Sequence, residues 1–149
     1  MERERNTVSG TEQVQVAREM LAWLNACGPL PQGVERIEAE YLSNRTSMGL
    51  FAAAAPFKTR EFINGAYEAQ FQFSLQYRTA PACSEERLEA MESLHALAEW
   101  AESGALPELG GGMNAVCVER ASPAVMAARY DDGSEDYQIL MALTYQVGA

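Results

Sequence analysis

The side chains that most often carry chemistry are scarce in this chain. His95 is the only histidine, and it lies on or beside the apolar stripe of a predicted helix. A lone helical histidine is far more often a packing residue than a general base or a metal ligand. The usual catalytic zinc sites need several histidine or cysteine ligands, which this pattern does not supply. We therefore expect no catalytic residue, no cofactor and no metal site.

The cysteines give no stronger signal. Cys27, Cys83 and Cys117 are an odd number at wide spacings, which argues against a disulfide framework and against a CxxC metal site. Cys83 lies just before a predicted helix, where a thiolate is favoured. A small residue in front of a helix cap explains its position more simply. We interpret all three as buried free thiols.

Two further features have the composition of ion or phosphate sites. Asp131, Asp132, Glu135 and Asp136 cluster around a turn, but their spacing does not match a calcium-binding loop. We interpret them as a solvated hairpin tip. The glycine run at residues 110–112 lacks the lysine and the hydroxyl residue of a phosphate-binding loop, so a flexible connection is the better interpretation. A carboxylate pair that only the fold brings together stays an open alternative.

Length and composition indicate one folded domain. The chain has 149 residues, of which 48% are hydrophobic, so a single domain over residues 1–149 can bury a substantial core. Residues 1–10 are expected to be a flexible N-terminal segment. No apolar run approaches the ~20 residues that span a bilayer, and the charged N-terminus is not a secretory signal. We expect a protein that is made and folded in the cytosol and has no membrane partner.

The charge balance argues against nucleic acid as a partner. The chain has 21 acidic and 11 basic residues, and its net charge is −10. Nucleic-acid affinity comes largely from lysine and arginine side chains that neutralise phosphates. An acidic surface repels nucleic acid instead. We therefore expect no sequence-specific binding to DNA or RNA.

Two helices are predicted. Ser9 is placed to cap the first, with Glu12 at the capping-box spacing, and the apolar residues that follow share one face. This helix is predicted over residues 11–26, and Gly28 is predicted to end it in a left-handed conformation. The second helix is predicted to begin at Ser84 as its N-cap. Its apolar stripe comprises Leu88, Met91, Leu94, His95, Ala98 and Ala101, widened by Leu97 and Trp100.

Most of the remaining chain has the period of two that is typical of strands. The clearest strand is predicted over residues 67–78, where aromatic and aliphatic residues alternate with polar ones. Asn64-Gly65, just before it, is a strong hairpin signal. Residues 48–55 fit a weak strand or a loop equally well. The other predicted strands are residues 34–42, 57–63, 115–121, 124–130 and 136–147.

These elements follow in the order α–β–(β)–β–β–α–β–β–β, and the sequence shows no internal repeat. Strands joined by hairpins and accompanied by two helices predict an α+β fold, not alternating βαβ units. The strand over residues 67–78 has one apolar and one polar side. This pattern predicts a mainly antiparallel sheet with both helices packed on one face.

Several short segments carry a family resemblance when they are taken in order. They are Leu21-Ala22-Trp23-Leu24-Asn25 with Cys27 and Pro29-Leu30, the strand around Phe71 and Phe73, Ala98-Glu99-Trp100, Leu106-Pro107-Glu108-Leu109-Gly110, and Tyr137-Gln138-Ile139 with Leu143 and Tyr145. Together they resemble the minor structural (minor capsid) proteins of tailed phages and prophages of Gram-positive bacteria. The order of elements is similar to the tail-terminator fold of long-tailed phages. Gly28 and the alanine run at residues 52–55 depart from the family pattern.

The resemblance implies a virion protein without enzymatic activity, assembled in the cytoplasm of a bacterial host. Tail terminators form a ring, usually a hexamer, that caps the tail tube and faces the head connector. The implied partners are therefore further copies of the chain, tail-tube proteins and head-connector proteins. Another tail or neck component is an alternative role. A small-molecule-binding domain or an enzyme, with a site that forms only in the fold, is the alternative from a different class.

The predicted interface combines a hairpin with the polar side of a strand. Asn64 and Gly65 form the hairpin, and Glu68, Gln70 and Gln72 are the outward residues of the strand that follows. An edge or a projecting arm of this kind suits contacts between neighbouring subunits. The same positions fit a solvated sheet face equally well.

Overall fold

The computed structural model describes residues 7–148, which form two helices and seven strands. In chain order the elements are α1 (Gly10–Cys27), β1 (Ile37–Ala39), β2 (Ser47–Ala52), β3 (Phe57–Glu61), β4 (Tyr67–Thr79), α2 (Ser84–Ser103), β5 (Met113–Arg120), β6 (Val125–Arg129) and β7 (Glu135–Val147). The predicted α+β class with two helices is confirmed. The segment that fitted a strand or a loop equally well is the strand β2.

The centre of the sheet is the antiparallel pair of β4 and β7. These strands pair over their full length, from Tyr67 opposite Val147 to Thr79 opposite Glu135. β2 and β3 lie end to end along the other side of β4, and β5 and β6 lie in the same way along β7. β1 adds a short parallel strand outside β2. The sheet is therefore mainly antiparallel, as predicted.

Both helices cover the same face of the sheet. α1 contributes Val16, Met20 and Leu24 to the core, and α2 packs against β4, β5 and β7. The covered side chains of the two central strands are Ala69, Phe71, Phe73, Leu75, Tyr137, Ile139, Met141, Leu143 and Tyr145, all at most 1% exposed. Full burial of a large apolar side chain contributes about 1.5–3 kcal/mol. This face therefore supplies most of the driving force for folding.

The start of α1 is capped as predicted, but its end differs from the prediction. The Glu12 N–H donates to Ser9 Oγ at 3.1 Å, whereas the Glu12 carboxylate accepts from two tyrosine hydroxyls of the sheet and leaves the capping box open. Gly28 has φ −72°, so the predicted left-handed conformation is wrong. Glycine is required there because a Cβ would lie 2.6 Å from the Leu24 carbonyl oxygen.

The second helix begins one residue earlier and buries a different stripe from the one predicted. Its N-cap is Cys83, not Ser84, and the Cys83 side chain makes no cap hydrogen bond. Leu88 is 53% exposed, so its predicted place in the apolar stripe is wrong. The buried residues of α2 are Ala90, Leu94, Leu97, Ala98 and Ala101. Three of these five are alanines, which let the helix axis approach the sheet closely.

The first strand is much shorter than the predicted span of residues 34–42. Only Ile37–Ala39 pair with β2, because Glu40 has φ 53°, a left-handed conformation that ends the strand. Asn25 of α1 fixes the position of β1. Its side-chain amide donates to the Ile37 carbonyl at 3.0 Å, and its side-chain oxygen accepts from the Ile37 N–H at 2.7 Å.

The fold contains a structural repeat with an offset of 68 positions, although the sequence shows none. A helix precedes each set β2–β3–β4 and β5–β6–β7. β3 and β6 both bulge at their third residue, and the hairpins after them carry Gly65 and Gly133, each with φ 92°. Phe73 and Met141, also 68 positions apart, pair at the centre of the sheet. The two halves are therefore related by a pseudo-twofold axis between β4 and β7.

The segment before α1 is described from Thr7 onward. Residues 1–6 of the predicted flexible segment lie outside the described residues. Thr7 forms an antiparallel bridge with Phe57 at the start of β3, and the Val8 N–H donates to the Pro56 carbonyl at 3.2 Å. This segment therefore runs along the beginning of β3.

Candidate functional site

One face of the sheet carries no helix. Its central side chains project outward from β4 and β7, and none of the elements described for residues 7–148 packs over them. They lie opposite one another in the pairs Gln70–Thr144, Gln72–Ala142, Ser74–Leu140 and Gln76–Gln138. We call these residues the open face. All of them except the buried Ser74 are partly exposed.

The open face carries no formal charge, although the chain has a net charge of −10. Along β4 and β7 the outward charges lie only at its ends. Glu68 is at one end, opposite Gln146. At the other end Arg78 and Asp136 form a two-point ion pair, with N–O distances of 2.7 and 2.9 Å. Because like charges repel, another acidic protein approaches this neutral patch at a lower electrostatic cost than the rest of the surface.

The five predicted interface residues lie on two adjoining surfaces. Glu68, Gln70 and Gln72 project in one column from the outer side of β4, and Gln72 Nε2 donates to Gln70 Oε1 at 3.1 Å. Asn64 and Gly65 lie beyond the end of that column, at the exposed tip of the β3–β4 hairpin. The structure therefore brings the first three residues together and places the other two at a corner of the sheet.

The predicted hairpin at Asn64-Gly65 is confirmed. The Phe62 N–H donates to the Ala66 carbonyl at 2.8 Å, and the Gly65 N–H donates to the Phe62 carbonyl at 3.1 Å. Asn64 Oδ1 accepts from the Ala66 N–H at 3.1 Å. The φ of 92° at Gly65 is one that glycine adopts without steric cost. These contacts define a three-residue loop with a glycine bulge.

Two apolar residues at this tip were not identified from the sequence. Ile63 is 108% exposed and Phe62 is 39% exposed. With Glu61, Asn64 and Ala66 they line a shallow concavity of about 580 Å³. Leaving an isoleucine in water forgoes about 1.5–3 kcal/mol of burial free energy. The sequence contains a signal for them, because this apolar pair stands directly before Asn-Gly. The strand prediction over residues 57–63 instead assigned both residues to a strand.

Glu135 and Asp136 are buried, so the prediction of a solvated tip is wrong for both. Glu135 is 3% exposed, and its carboxylate lies 3.2 Å from Arg87 Nε and 3.1 Å from Arg129 Nε. The Tyr137 hydroxyl also donates to it. This hydrogen bond, followed by those from the arginines, holds the pKa of Glu135 below its usual value. Burial, together with the same hydrogen bond, raises the pKa of Tyr137 to about 12.

The single histidine is held by neighbouring donors. The Ala124 N–H donates to His95 Nε2 at 3.3 Å, and Arg120 Nη1 lies 3.3 Å from His95 Nδ1. Arg120 in turn pairs with Glu102 at 2.9 Å. These contacts hold the connection between β5 and β6 against α2. His95 thus acts as a packing residue, in agreement with the sequence interpretation.

The cysteines differ from their prediction. Cys27 and Cys83 are exposed and Cys117 is partly exposed, so the expectation of three buried thiols is wrong. Cys27 is the last residue of α1, and Cys83 is the N-cap of α2. Within residues 7–148, no group of three His, Cys, Asp or Glu side chains is placed to hold a metal ion. In the same part of the chain, no helix is long and apolar enough to cross a membrane.

A polar cleft of about 340 Å³ lies beside the first turns of α2. Its lining includes Tyr77, Thr79, Glu86, Glu89 and Ser93. Small-molecule sites are typically concave and mostly apolar, with a few polar groups that fix orientation. This cleft is open to solvent, and its lining is mainly polar. It therefore does not favour the small-molecule alternative.

The surfaces best suited to binding are the open face and the hairpin tips beside it. Searches against protein-family models and curated proteins give no match to this chain. An uncharged sheet face and an exposed apolar tip are features of a contact with another protein.

Proposed function

We propose that this protein is a structural component of a phage virion, a tail terminator or a related head–tail joining protein. In this proposal copies of the chain form a ring that caps the tail tube and meets the head connector. The protein acts by assembly and not by catalysis. The observation that carries the proposal is the uncharged open face on a strongly acidic chain.

The open side of the sheet is large enough for a stable protein contact. β4 and β7 each have 13 residues, which corresponds to a length of about 44 Å. Four strands lie side by side over most of this length, so a spacing of about 4.8 Å gives a width of roughly 19 Å. The resulting area of roughly 850 Å² for the whole open side of the sheet is close to the ~800 Å² per partner of a standard interface. It includes charged residues around the uncharged centre, such as Glu119 of β5 opposite Ala142. Glutamine side chains both donate and accept hydrogen bonds, so the open face at the centre of this surface offers directional contacts without charge.

Two sequence properties support the same role. The segments around Trp23, Phe71 and Tyr137 resemble phage minor capsid proteins and tail terminators. A net charge of −10 suits the wall of a channel through which DNA passes without binding, because like charges repel.

The test is electron microscopy of the purified protein with tail tubes of the phage that encodes it, prepared without this protein. We expect a ring at one end of each tube. Tubes that stay uncapped at every protein concentration, with no co-sedimentation, would contradict the proposal.

A charge variant connects the capping test to the open face. Gln72→Glu combined with Gln76→Glu adds two negative charges to this surface, and we expect the caps to disappear. Gln32→Glu combined with Asn44→Asp adds the same charge at exposed positions of the loops around β1, and we expect normal caps. Equal capping by both variants would exclude the open face from the contact.

A further inference from the structure

The centre of the open face alternates between large and small side chains. Gln72 lies opposite Ala142, and in the next outward pair Ser74 lies opposite Leu140. The two large residues therefore occupy one diagonal of this centre, and the two small residues occupy the other. The offset of 68 positions relates Gln72 to Leu140 and Ser74 to Ala142, so both halves of the chain contribute equally to the pattern.

Such a surface is complementary to a second copy of itself. When a twofold axis lies in the plane of the sheet, Gln72 and Leu140 of one copy each meet a small residue of the other. Large and small side chains then interdigitate between two sheets about 10 Å apart. Gln70, Gln76 and Gln138 surround this centre, and their amides can pair with the same kind of amide because each donates and accepts.

Two larger apolar residues extend the centre toward the sides of the sheet. Phe51 of β2 lies opposite Ser74 and is partly exposed. Val125 of β6 lies opposite Gln138 and is 41% exposed. An apolar centre with a polar rim is the usual anatomy of a protein interface.

Charged side chains on the open side of the strands border this face. Most of them lie beside a residue of opposite sign, namely Arg36 with Glu38, Arg60 with Glu68, and Arg78 with Asp136. Glu119 of β5 differs, because it is exposed and forms no ion pair with any residue from 7 to 148. Its position therefore restricts how two copies can pack.

Glu119 favours one of the two in-plane axes. It stands at the end of a row across the sheet that continues with Ala142, Gln72 and Ala53. An axis along the strands reverses this row, so Glu119 faces Ala53 of the second copy and the two Glu119 residues lie about 14 Å apart across the strands. An axis across the strands would leave them in one column, about 7 Å apart, where like charges repel.

The area of the open side suits a stable dimer. At roughly 850 Å² per copy, two copies bury at most roughly 1,700 Å², within the range of about 1,200–2,000 Å² for standard interfaces. The segment after β1 limits the face beside β2, since a Cβ on Gly49 would lie 2.5 Å from the Tyr41 carbonyl oxygen. The contact is therefore centred on β4 and β7.

We propose that two copies of this chain pack face to face through the open face, about a twofold axis parallel to β4 and β7. Gln72 packs on Ala142 of the second copy, and Leu140 packs on its Ser74. Such a contact is isologous and closes at two copies, so contacts around a ring use other surfaces. The inference deepens the proposed function by naming the partner of the open face, and it rests on that proposal only for the use of this face as a contact.

The first measurement is sedimentation velocity of the wild-type protein at concentrations up to ~1 mM, which detects weak specific contacts. We expect a dimer whose mass does not rise further. Ala142→Arg places a large cation where Gln72 of the second copy packs, and should raise the dissociation constant of the dimer at least about ten-fold. Gln32→Arg adds the same charge at an exposed position and should dimerise like the wild type. Because added positive charge reduces repulsion between chains of net charge −10, a weaker dimer in Ala142→Arg identifies the contact itself.

Spin labels test the direction of the axis. The variant Gln146→Cys carries a nitroxide at an exposed position beside one end of the face, in a chain whose three native cysteines are replaced by serine. An axis along the strands brings the two labels of a dimer within about 20 Å, whereas an axis across the strands separates them by about 35 Å. Electron paramagnetic resonance measures this distance, and the longer value would overturn the proposed arrangement.

A wild-type protein that stays monomeric, or an Ala142→Arg variant that dimerises like its control, would overturn the inference. Circular dichroism checks the folding of each variant. Gln72→Glu with Gln76→Glu replaces Ala142→Arg if that variant is unfolded, and Gln32→Glu with Asn44→Asp is then the control. Capping distinguishes the inference from the proposed function. Tails capped by a protein that is monomeric in solution would overturn the dimer and leave the proposed function intact, and a dimer that never caps tails would do the reverse.

Discussion

At the scale of single residues, Glu135 is a carboxylate withdrawn from water and held by the side chains of Arg87, Arg129 and Tyr137. These contacts lower its pKa from the ordinary value of 4.5, so its ionised form stabilises the fold. That contribution is fully present above the unfolded-state pKa and is lost as the pH falls through the lower pKa of the folded state. We expect the free energy of unfolding, measured with urea, to decrease as the pH drops below 4.5.

The variant Glu135→Gln tests whether Glu135 causes this loss of stability in acid. An amide loses the ion pairs to both arginines, so we expect the free energy of unfolding at neutral pH to fall by about 1.5–3 kcal/mol. Its dependence on pH in the acid range should be weaker than in the wild type. Glu108→Gln, at an exposed position, is the matched control and should behave like the wild type. Equal acid sensitivity in both variants would point to other carboxylates.

Gly28 offers a second residue-level prediction. Its φ of −72° suits any residue, but a Cβ would lie 2.6 Å from the Leu24 carbonyl oxygen and 2.9 Å from Leu97 Cδ1. We expect Gly28→Ala to lower the free energy of unfolding by about 1–3 kcal/mol, the usual cost of overpacking. Gly10→Ala, where a Cβ meets no atom within 4 Å, should not destabilise the protein. A wild-type melting temperature for Gly28→Ala would show that the segment after α1 shifts freely.

At the scale of elements, the repeated hairpin predicts which substitutions the first turn tolerates. Replacing Ile63 and Asn64 by two aspartates copies the second turn, so we expect the free energy of unfolding to change by less than about 0.5 kcal/mol. Gly65→Ala should lower the free energy of unfolding by about 1–2 kcal/mol, because φ 92° brings the added Cβ close to the backbone. Thermal unfolding of both variants checks the prediction. A large loss from the aspartate pair would mean that Ile63 supports the fold.

The local elements were predictable because their signals are local. The alternation in β4 and β7 and the Asn64-Gly65 turn depend on neighbours in sequence. The length of β1 was overestimated because the backbone of Glu40 is left-handed and ends the strand. The Glu40 carboxylate accepts a hydrogen bond from the Ala52 N–H of β2. The structural repeat could not be recognised from the sequence, because its two halves have the same backbone conformation but few identical residues.

Part of the candidate surface was also predictable, because its signal depends on residues that are neighbours in sequence. Gln70 and Gln72 follow from the polar side of an alternating strand. The burial of Glu135 could not be predicted from its own strand, because its partner Arg87 comes from α2, 48 positions away. The exposure of Ile63 depends on where the loop begins, and strand boundaries are the least certain feature of a sequence pattern.

At the scale of the whole molecule, the net charge of −10 predicts that the protein does not bind DNA. Non-specific binding requires cations that displace counterions from phosphates, and repulsion between like charges opposes contact. We expect no change in the fluorescence anisotropy of labelled double-stranded DNA at ~50 mM salt and protein concentrations up to ~100 µM. Saturable binding in that range would contradict both this prediction and the role proposed for the acidic surface.

The pairing of β4 with β7 also determines the order of events during synthesis. β4 emerges from the ribosome before α2, β5 and β6, yet its central neighbour along all 13 residues is β7. Until β7 is complete, the nascent chain therefore presents a long, alternately apolar strand with a free backbone edge. Such an edge is a template for pairing with other chains. The protein is thus most vulnerable to aggregation while it is being translated, and completion of β7 ends that period.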